Sequence, residues 1–246
     1  MQRRNPYQRL DDGGQTYIDV RPSYPDKLID LLQISQETTV LDIGAGTGKL
    51  TAQLLQRTAQ VWAVEPAPDI ADGFFRVLPE FPRAHFRSTR GEDTGLEKRT
   101  FDVVTYGQCW HWLDAPAASR EAARVLRAHG RIAIFFNQLD VSQPWVLQLT
   151  RIMRSGDVQK ATKPPQLTRD FTKPELKLDY WIDSMSVEDI FRLGETRASW
   201  INSTPENRRR MRENLRWYLC EELGYDAQST VRLPYQTQLW IAEKKY

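Results

Sequence analysis

The chain predicts an α/β fold: a mostly parallel sheet with helices on both faces and an antiparallel strand at the end. Three observations carry this. Short β-rich runs alternate with segments of helical apolar spacing as far as residue 136. The runs TVLDIGAG and QVWAVEP stop abruptly at glycine or proline, as buried strands entering tight turns do. The end, TVRLPYQTQLWIAEKK, holds two β-rich pieces around Pro234, the second alternating Leu239 and Ile241 with polar neighbours.

Residues 1–24 are polar and punctuated by Gly13, Gly14 and Pro22, and predict a mostly irregular arm. Pro25 suits a first helical position, and DKLIDLLQI follows with apolar residues at helical spacing. Strands are predicted at 39–43, 60–64, 84–88, 101–107 and 131–136, the last introduced by a turn at His129-Gly130. Helices are predicted at 49–57, 69–78 and 119–128. Such a sheet binds ligands at the carboxyl ends of its strands. Beyond 137 the pattern weakens. Residues 176–182 read as a further strand, 186–194 and 205–219 as helices, and 155–173, with Pro164 and Pro165, as a loop or lid. The end reads as an antiparallel pair or edge strand.

At 246 residues the chain buries most of its surface without a disulfide or metal staple. Two cysteines exclude a disulfide framework and a four-thiolate zinc site, and no metal is expected. The longest apolar run, 132–136, is too short for a membrane helix, and MQRRNPYQRL lacks the apolar stretch of a secretory signal. A cytoplasmic location is expected. A net charge of +2 gives no electrostatic footprint for nucleic acid. The arginines of PENRRRMRENLRWYL alternate with Glu206 and Glu213 and read as a solvated helix face.

The strongest local signal is VLDIGAGTGKL. Gly44, Gly46 and Gly48 fall at every second residue between a strand and a helix. A dinucleotide fingerprint needs glycine at 49, where Lys49 stands, and the P-loop spacing is absent as well. What remains is an acid, Asp42, two residues before three alternating glycines. This resembles the first motif of class I S-adenosylmethionine-dependent methyltransferases. The resemblance implies a Rossmann-like, seven-stranded, mostly parallel sheet with an antiparallel last strand. It implies S-adenosyl-L-methionine as cofactor, held by Asp42, Gly44, Ala45, Gly46 and Gly48. Asp42 is expected at the ammonium. Glu65, ending the second strand before Pro66, is expected at the ribose diol, which suits a carboxylate acceptor.

Other segments match the family in order. Gly91 and Glu92 take the places of its adenine-contacting loop, with Arg90 where an aspartate is frequent. EAARVLRAHGRIAIF resembles the helix-turn-strand usually written RVLKPGGRLAI. The arm YIDVRPSYPDKLIDLL and the loop GQCWHWLD resemble small-molecule methyltransferases related to trans-aconitate methyltransferase, and LPYQTQLWIAEKK resembles their last hairpin. That resemblance implies a single domain over 1–246. Its parts are an arm or lid at 1–24, a cofactor-binding core at 25–136, a substrate-covering insertion at 137–200, and a helix and hairpin at 201–246.

In this frame Tyr17 and Arg21 are expected beside the cofactor, as an aromatic face for a cation and a fork for a carboxylate. Gln108 is expected as a pocket wall. Tyr24, Trp110 and Trp112 are expected to line the acceptor pocket, each with packing as the plainer role. His111 serves either as general base or as an anchor of its loop. Cys109 reads as a small wall residue. The predicted function is methyl transfer to a small-molecule acceptor, O-methylation of a carboxylate or hydroxyl by in-line displacement. A macromolecular acceptor and a cofactor-binding pseudoenzyme are the alternatives. The acceptor's identity and the oligomeric state are not legible.

Overall fold

The computed structural model describes residues 14–155 and 159–246. Gly14, at φ +84°, starts helix α1 (Gln15–Val20), and Pro25 precedes α2 (Asp26–Asp30). Strand β1 (Val40–Ile43) then runs into the glycine loop and α3 (Lys49–Leu55). There follow β2 (Val61–Val64), α4 (Pro68–Val77), β3 (Phe86–Arg87), β4 (Phe101–Gly107), α5 (Ala115–Val125) and β5 (Leu126–Leu139). The remainder is α6 (Pro144–Ile152), β6 (Glu175–Ser186), α7 (Val187–Glu195), α8 (Ala198–Ile201), α9 (Pro205–Arg216) and β7 (Thr230–Glu243). Local chemistry marks the helix starts. Proline opens α4, α5, α6 and α9, where its missing N–H costs nothing. The side chains of Asp114, Ser186 and Thr204 accept the amides of Ala117, Asp189 and Asn207, capping α5, α7 and α9.

The sheet has seven strands in the order β3-β2-β1-β4-β5-β7-β6. The first five are parallel; β7 is antiparallel to both β5 and β6. One face packs Leu41, Ile43, Val104, Tyr106, Ile132 and Ile134 against α5. The other packs Val40, Val103, Ala133 and Phe135 against Leu28, Ile29, Leu54 and Phe74 of α2, α3 and α4. Phe74 is fully buried, contributing about 1.5–3 kcal/mol. A third cluster joins α6, α7 and α9 to the β6–β7 end.

The fold class is as the sequence predicts. Several details differ. Residues 15–20 of the arm are helical rather than irregular, because Val20 is buried in the third cluster. Residues 1–13 lie outside the described residues. The turn expected at His129-Gly130 is a bulge within β5, where the β4 register jumps from Phe101↔Leu126 to Val103↔Arg131. The helix expected at 119–128 starts at Ala115, under the Asp114 cap, and gives way to β5 at Leu126.

The expected hairpin at 201–246 is one continuous strand, β7, and it is interior; β6 forms the edge. Proline is tolerated inside β7 for a geometric reason. Strand β5 ends at Leu139, opposite Tyr235, and the Pro234 carbonyl accepts the Asp140 amide just beyond that end. The missing N–H of Pro234 therefore faces no strand, and no ladder bond is lost. The described part of residues 137–200 contains the end of β5, α6, the edge strand β6, α7 and most of α8; of these helices the sequence predicts only α7.

Candidate active site

The glycine loop leaves β1 between β2 and β4, at the carboxyl end of the parallel sheet. Gly44, Gly46 and Gly48 all have positive φ, at 68°, 60° and 86°. A Cβ on Gly44 would lie 2.7 Å from the Cys109 side chain. On Gly46 it would meet nothing closer than 3.9 Å, so that backbone faces open space. The Glu65 carboxylate accepts the amides of Gly46 at 3.1 Å and Ala67 at 3.0 Å. Burial pushes its pKa up, and those two amides pull the other way. Asp42 accepts the hydroxyls of Thr51 at 2.6 Å and Thr105 at 2.8 Å, one on each oxygen. Burial pushes its carboxyl up to about 6 against both hydrogen bonds.

Asp42, Gly44, Gly46 and Glu65 line a cleft, with Ala45, Thr47, Leu50 and Ile70 beside them. The arm roofs it. Lys49 donates to the Ile18 carbonyl at 2.5 Å, Gln15 accepts from Arg76 of α4, and Arg192 of α7 pairs with Asp19. Arg21 donates from Nε to Thr196 Oγ1 at 2.8 Å and from Nη2 to the Thr196 carbonyl at 3.0 Å. Its guanidinium lies 5.2 Å from the Tyr17 ring centroid. Tyr24 is buried against Phe135, with its amide on Gln53, and burial drives its phenol upward. Tyr17, Arg21 and Tyr24 all line the cleft.

A second chamber adjoins the cleft across shared walls: Tyr17, Arg21, Gln108, Trp112, Asn137 and Arg197. Gln108 sits between them with φ +58°, a conformation costly for a residue with a side chain. It is pinned there by its amide on the Phe135 carbonyl and its Nε2 on the Asn137 carbonyl at 2.5 Å. Asn137 in turn bonds the Ser23 carbonyl and Thr237, joining the arm to β5 and β7. His111 lines the second chamber, its ring 4.7 Å from Trp112. Cys109 donates its thiol to the Ile43 carbonyl at 3.1 Å, and burial holds it protonated, as a wall residue requires.

Five of the residues expected at the site line neither cavity. One is Gly48, where a Cβ would lie 3.0 Å from Leu78 and 3.1 Å from Phe74, so that glycine serves the turn and its packing. Trp110 is buried in the core, edge-on to Tyr106 at 4.8 Å, and lines neither cavity; the short 3-10 turn at Trp110–Trp112 sends one indole inward and the other to the site. Gly91 is outside both walls as well. A Cβ there would lie 2.5 Å from Ile43, so its glycine serves close packing. Glu92 turns to Arg90 and the Asp114 amide, and Pro66 is exposed beyond Glu65. Conversely, Lys49, Ile70, Asn137, Arg197 and Tyr235 line the cleft without having been singled out. Lys49 and Ile70 follow directly on motif residues and were within reach of sequence reasoning. Arg197 and Tyr235 come from the weakly patterned half.

The donor set fits S-adenosylmethionine. Two carboxylates at neighbouring strand ends suit an ammonium and a ribose diol, while Lys49 is spent on the arm rather than offered to a phosphate. A family model described as a methyltransferase domain matches residues 41–134. An uncharacterized methyltransferase of Mycobacterium tuberculosis is 33% identical over 219 residues, covering 88% of each chain. The chain belongs to the class I S-adenosylmethionine-dependent methyltransferases. The methyltransferase also resembles an uncharacterized counterpart from Schizosaccharomyces pombe, 30% identical over 210 residues, covering 81% of this chain and 82% of that one. The YcgJ protein of Bacillus subtilis shares the fold, with TM-score 0.53 at 16% identity over 89% of this chain and 98% of that one. S-adenosyl-L-methionine is the methyltransferase's cofactor. Among its described residues no helix is long and apolar enough to cross a membrane.

Proposed function

We propose that this methyltransferase methylates an oxygen, carboxylate or hydroxyl, of a small molecule held in the second chamber. The observation that carries the reading is that Gln108, Trp112 and Asn137 line both cavities. A second pocket beside a roofed cleft supports a small acceptor in preference to a folded macromolecule. The cofactor supplies an electrophilic methyl on a sulfonium. The chain's task is then to hold the acceptor oxygen in line and keep water out, which is orientation chemistry. Glu65 would hold the ribose, the glycine loop and Asp42 the amino-acid end, and Arg21 and Tyr17 would close the arm over it. His111 takes a proton from a hydroxyl acceptor or positions a carboxylate. The half-buried free thiols of Cys109 and Cys220 support a reducing, cytoplasmic setting.

The test is methyl transfer from labelled S-adenosylmethionine to panels of carboxylic acids and phenols, with the product identified by mass. Transfer confined to a protein or RNA fraction, with none to any small molecule, would overturn the proposal.

A further inference from the structure

The two edges of the sheet are built differently. At one end β3 is two residues long, and so short a strand offers little to a neighbour. At the other end β6 runs for twelve residues, and its register with β7 is unbroken from Glu175↔Ile241 to Ser186↔Thr230. It holds no proline and no bulge, and Lys177 near its start is its one lysine. Proline, bulges and lysines are what keep an exposed edge from pairing. Among the described residues no strand pairs with the outer side of β6.

The two faces of β6 differ as well. Asp179, Trp181 and Met185 turn into the protein: Asp179 pairs with Lys27 of α2 at 2.5 Å, Trp181 donates to the Thr237 hydroxyl at 2.9 Å, and Met185 joins the third cluster. On the other face Leu178, Tyr180 and Ile182 form a row, 41%, 57% and 46% exposed. Gln236 of β7 donates to the Tyr180 hydroxyl at 2.7 Å and fixes the middle of that row. Two charges toward the ends of the strand are loosely engaged. Among the described residues Lys177 pairs with Glu175 alone, at 3.4 Å, and the half-buried Asp183 forms no ion pair.

These positions are complementary to themselves. Antiparallel pairing of β6 with β6 of a second copy, about a two-fold axis at Tyr180, puts Leu178 of each copy opposite Ile182 of the other, and Lys177 opposite Asp183. The apolar row of one copy then runs on into that of the next. An axis at Asp179 would set that carboxylate against itself and Glu175 against Asp183; an axis at Trp181 would set Asp179 against Asp183. Like charges directly opposite are unfavourable, and axes at Leu178 or Ile182 leave fewer residues paired, so the register at Tyr180 is selected. We propose that β6 is a homodimerisation edge: two copies of the chain join antiparallel through residues 175–185, merging two seven-stranded sheets into one.

The experiment is sedimentation velocity of the full chain over a range of concentrations. Wild type should sediment as a species of twice 28.7 kDa. Ile182→Lys and Lys177→Asp should each weaken the dimer about tenfold or more, since every substitution enters a two-fold interface twice. Both side chains are exposed, so both variants should keep the wild-type melting temperature and S-adenosylhomocysteine affinity. Asp183→Lys should weaken the dimer as Lys177→Asp does. An equimolar mixture of those two variants should form a heterodimer, because each cation then meets a carboxylate again. Under mild oxidation Tyr180→Cys should give a disulfide-linked dimer, since paired Cα atoms lie about 4.5–5.5 Å apart. Leu178→Cys should not, its counterpart lying about 13 Å away along the strand.

A monomer at every concentration would overturn the assignment. So would a dimer indifferent to both Ile182→Lys and Lys177→Asp, which would put the contact on another surface. If the two charge variants stay monomeric when mixed, or Leu178→Cys cross-links as readily as Tyr180→Cys, the register is wrong and the proposal fails. None of these outcomes depends on which acceptor is methylated.

Discussion

The carboxylate of Glu65 accepts the amide of Gly46 at 3.1 Å, tying the end of β2 to the middle of the glycine loop. Nineteen residues apart in sequence, the two halves of the cleft are thus joined by this bond, beside the amides of Gly44 and Ala45 on the Val64 carbonyl. The bond occupies part of one carboxylate oxygen and leaves acceptor capacity for a ribose.

Removing that carboxylate takes away both the loop contact and the proposed ribose acceptor. Glu65→Ala should bind S-adenosylhomocysteine roughly tenfold to more than a hundredfold more weakly, the range for a lost charge-assisted hydrogen bond. Calorimetry measures this, with circular dichroism verifying the fold. Unchanged affinity would remove Glu65 from the cofactor site.

Asp42 yields a pH prediction. Its carboxyl titrates at about 6 in the fold, against about 4 for an unfolded chain. Between these values the native state holds the proton that the unfolded state has lost. Stability should therefore fall as pH rises from 4 to 6, by up to about 3 kcal/mol, and stay lowered above. Asp42→Asn cannot titrate and should lack that decline. Urea unfolding of both proteins at pH 4.5 and 7.5 measures the difference, and parallel pH dependences would contradict it.

The arm's ties to α4 and α7 through Gln15 and Asp19 are partly exposed, so ligand-free opening of residues 15–19 should be frequent. Hydrogen exchange across residues 14–24 should slow when S-adenosylhomocysteine binds. Lys49→Met, which loses the contact with Ile18, should raise ligand-free exchange in the same residues. Identical exchange with and without ligand would take the arm out of the closing step.

His111 separates acceptor classes. A carboxylate is already ionised at neutral pH, whereas a hydroxyl must lose a proton, for which a placed base contributes ~10²–10⁴-fold. With a carboxylate acceptor, His111→Ala should raise KM several-fold and leave kcat largely intact from pH 6 to 9. A large loss of kcat that varies with pH would instead make His111 a base and the acceptor a hydroxyl.

What was legible followed from local rules. Three glycines in two-residue steps require a tight turn whatever surrounds them, so the loop, β1 and α3 could be placed from VLDIGAGTGKL alone. The adjacent indoles could not be told apart. Trp110 and Trp112 have the same chemistry, and only the turn that carries them decides which is core. Helix α6 was overlooked although Pro144 and the apolar positions 146 and 149 carry the ordinary signals. Arg197 and Tyr235 were out of reach for a different reason. Each gains meaning from a partner about forty or more residues away, and no local pattern announces such a meeting.

The interior position of β7 sets the order in which the molecule can be completed. Among the described residues strand β6 pairs with no strand except β7, and β7 is translated after the other strands of the sheet. While the ribosome is still making residues 187–229, β6 has no strand beside it, and Leu178, Tyr180 and Ile182, exposed even in the finished fold, travel with it. Contacts of such long sequence separation close slowly. Ending translation before residue 230 should therefore leave an insoluble product, detectable by fractionating truncated and full-length chains.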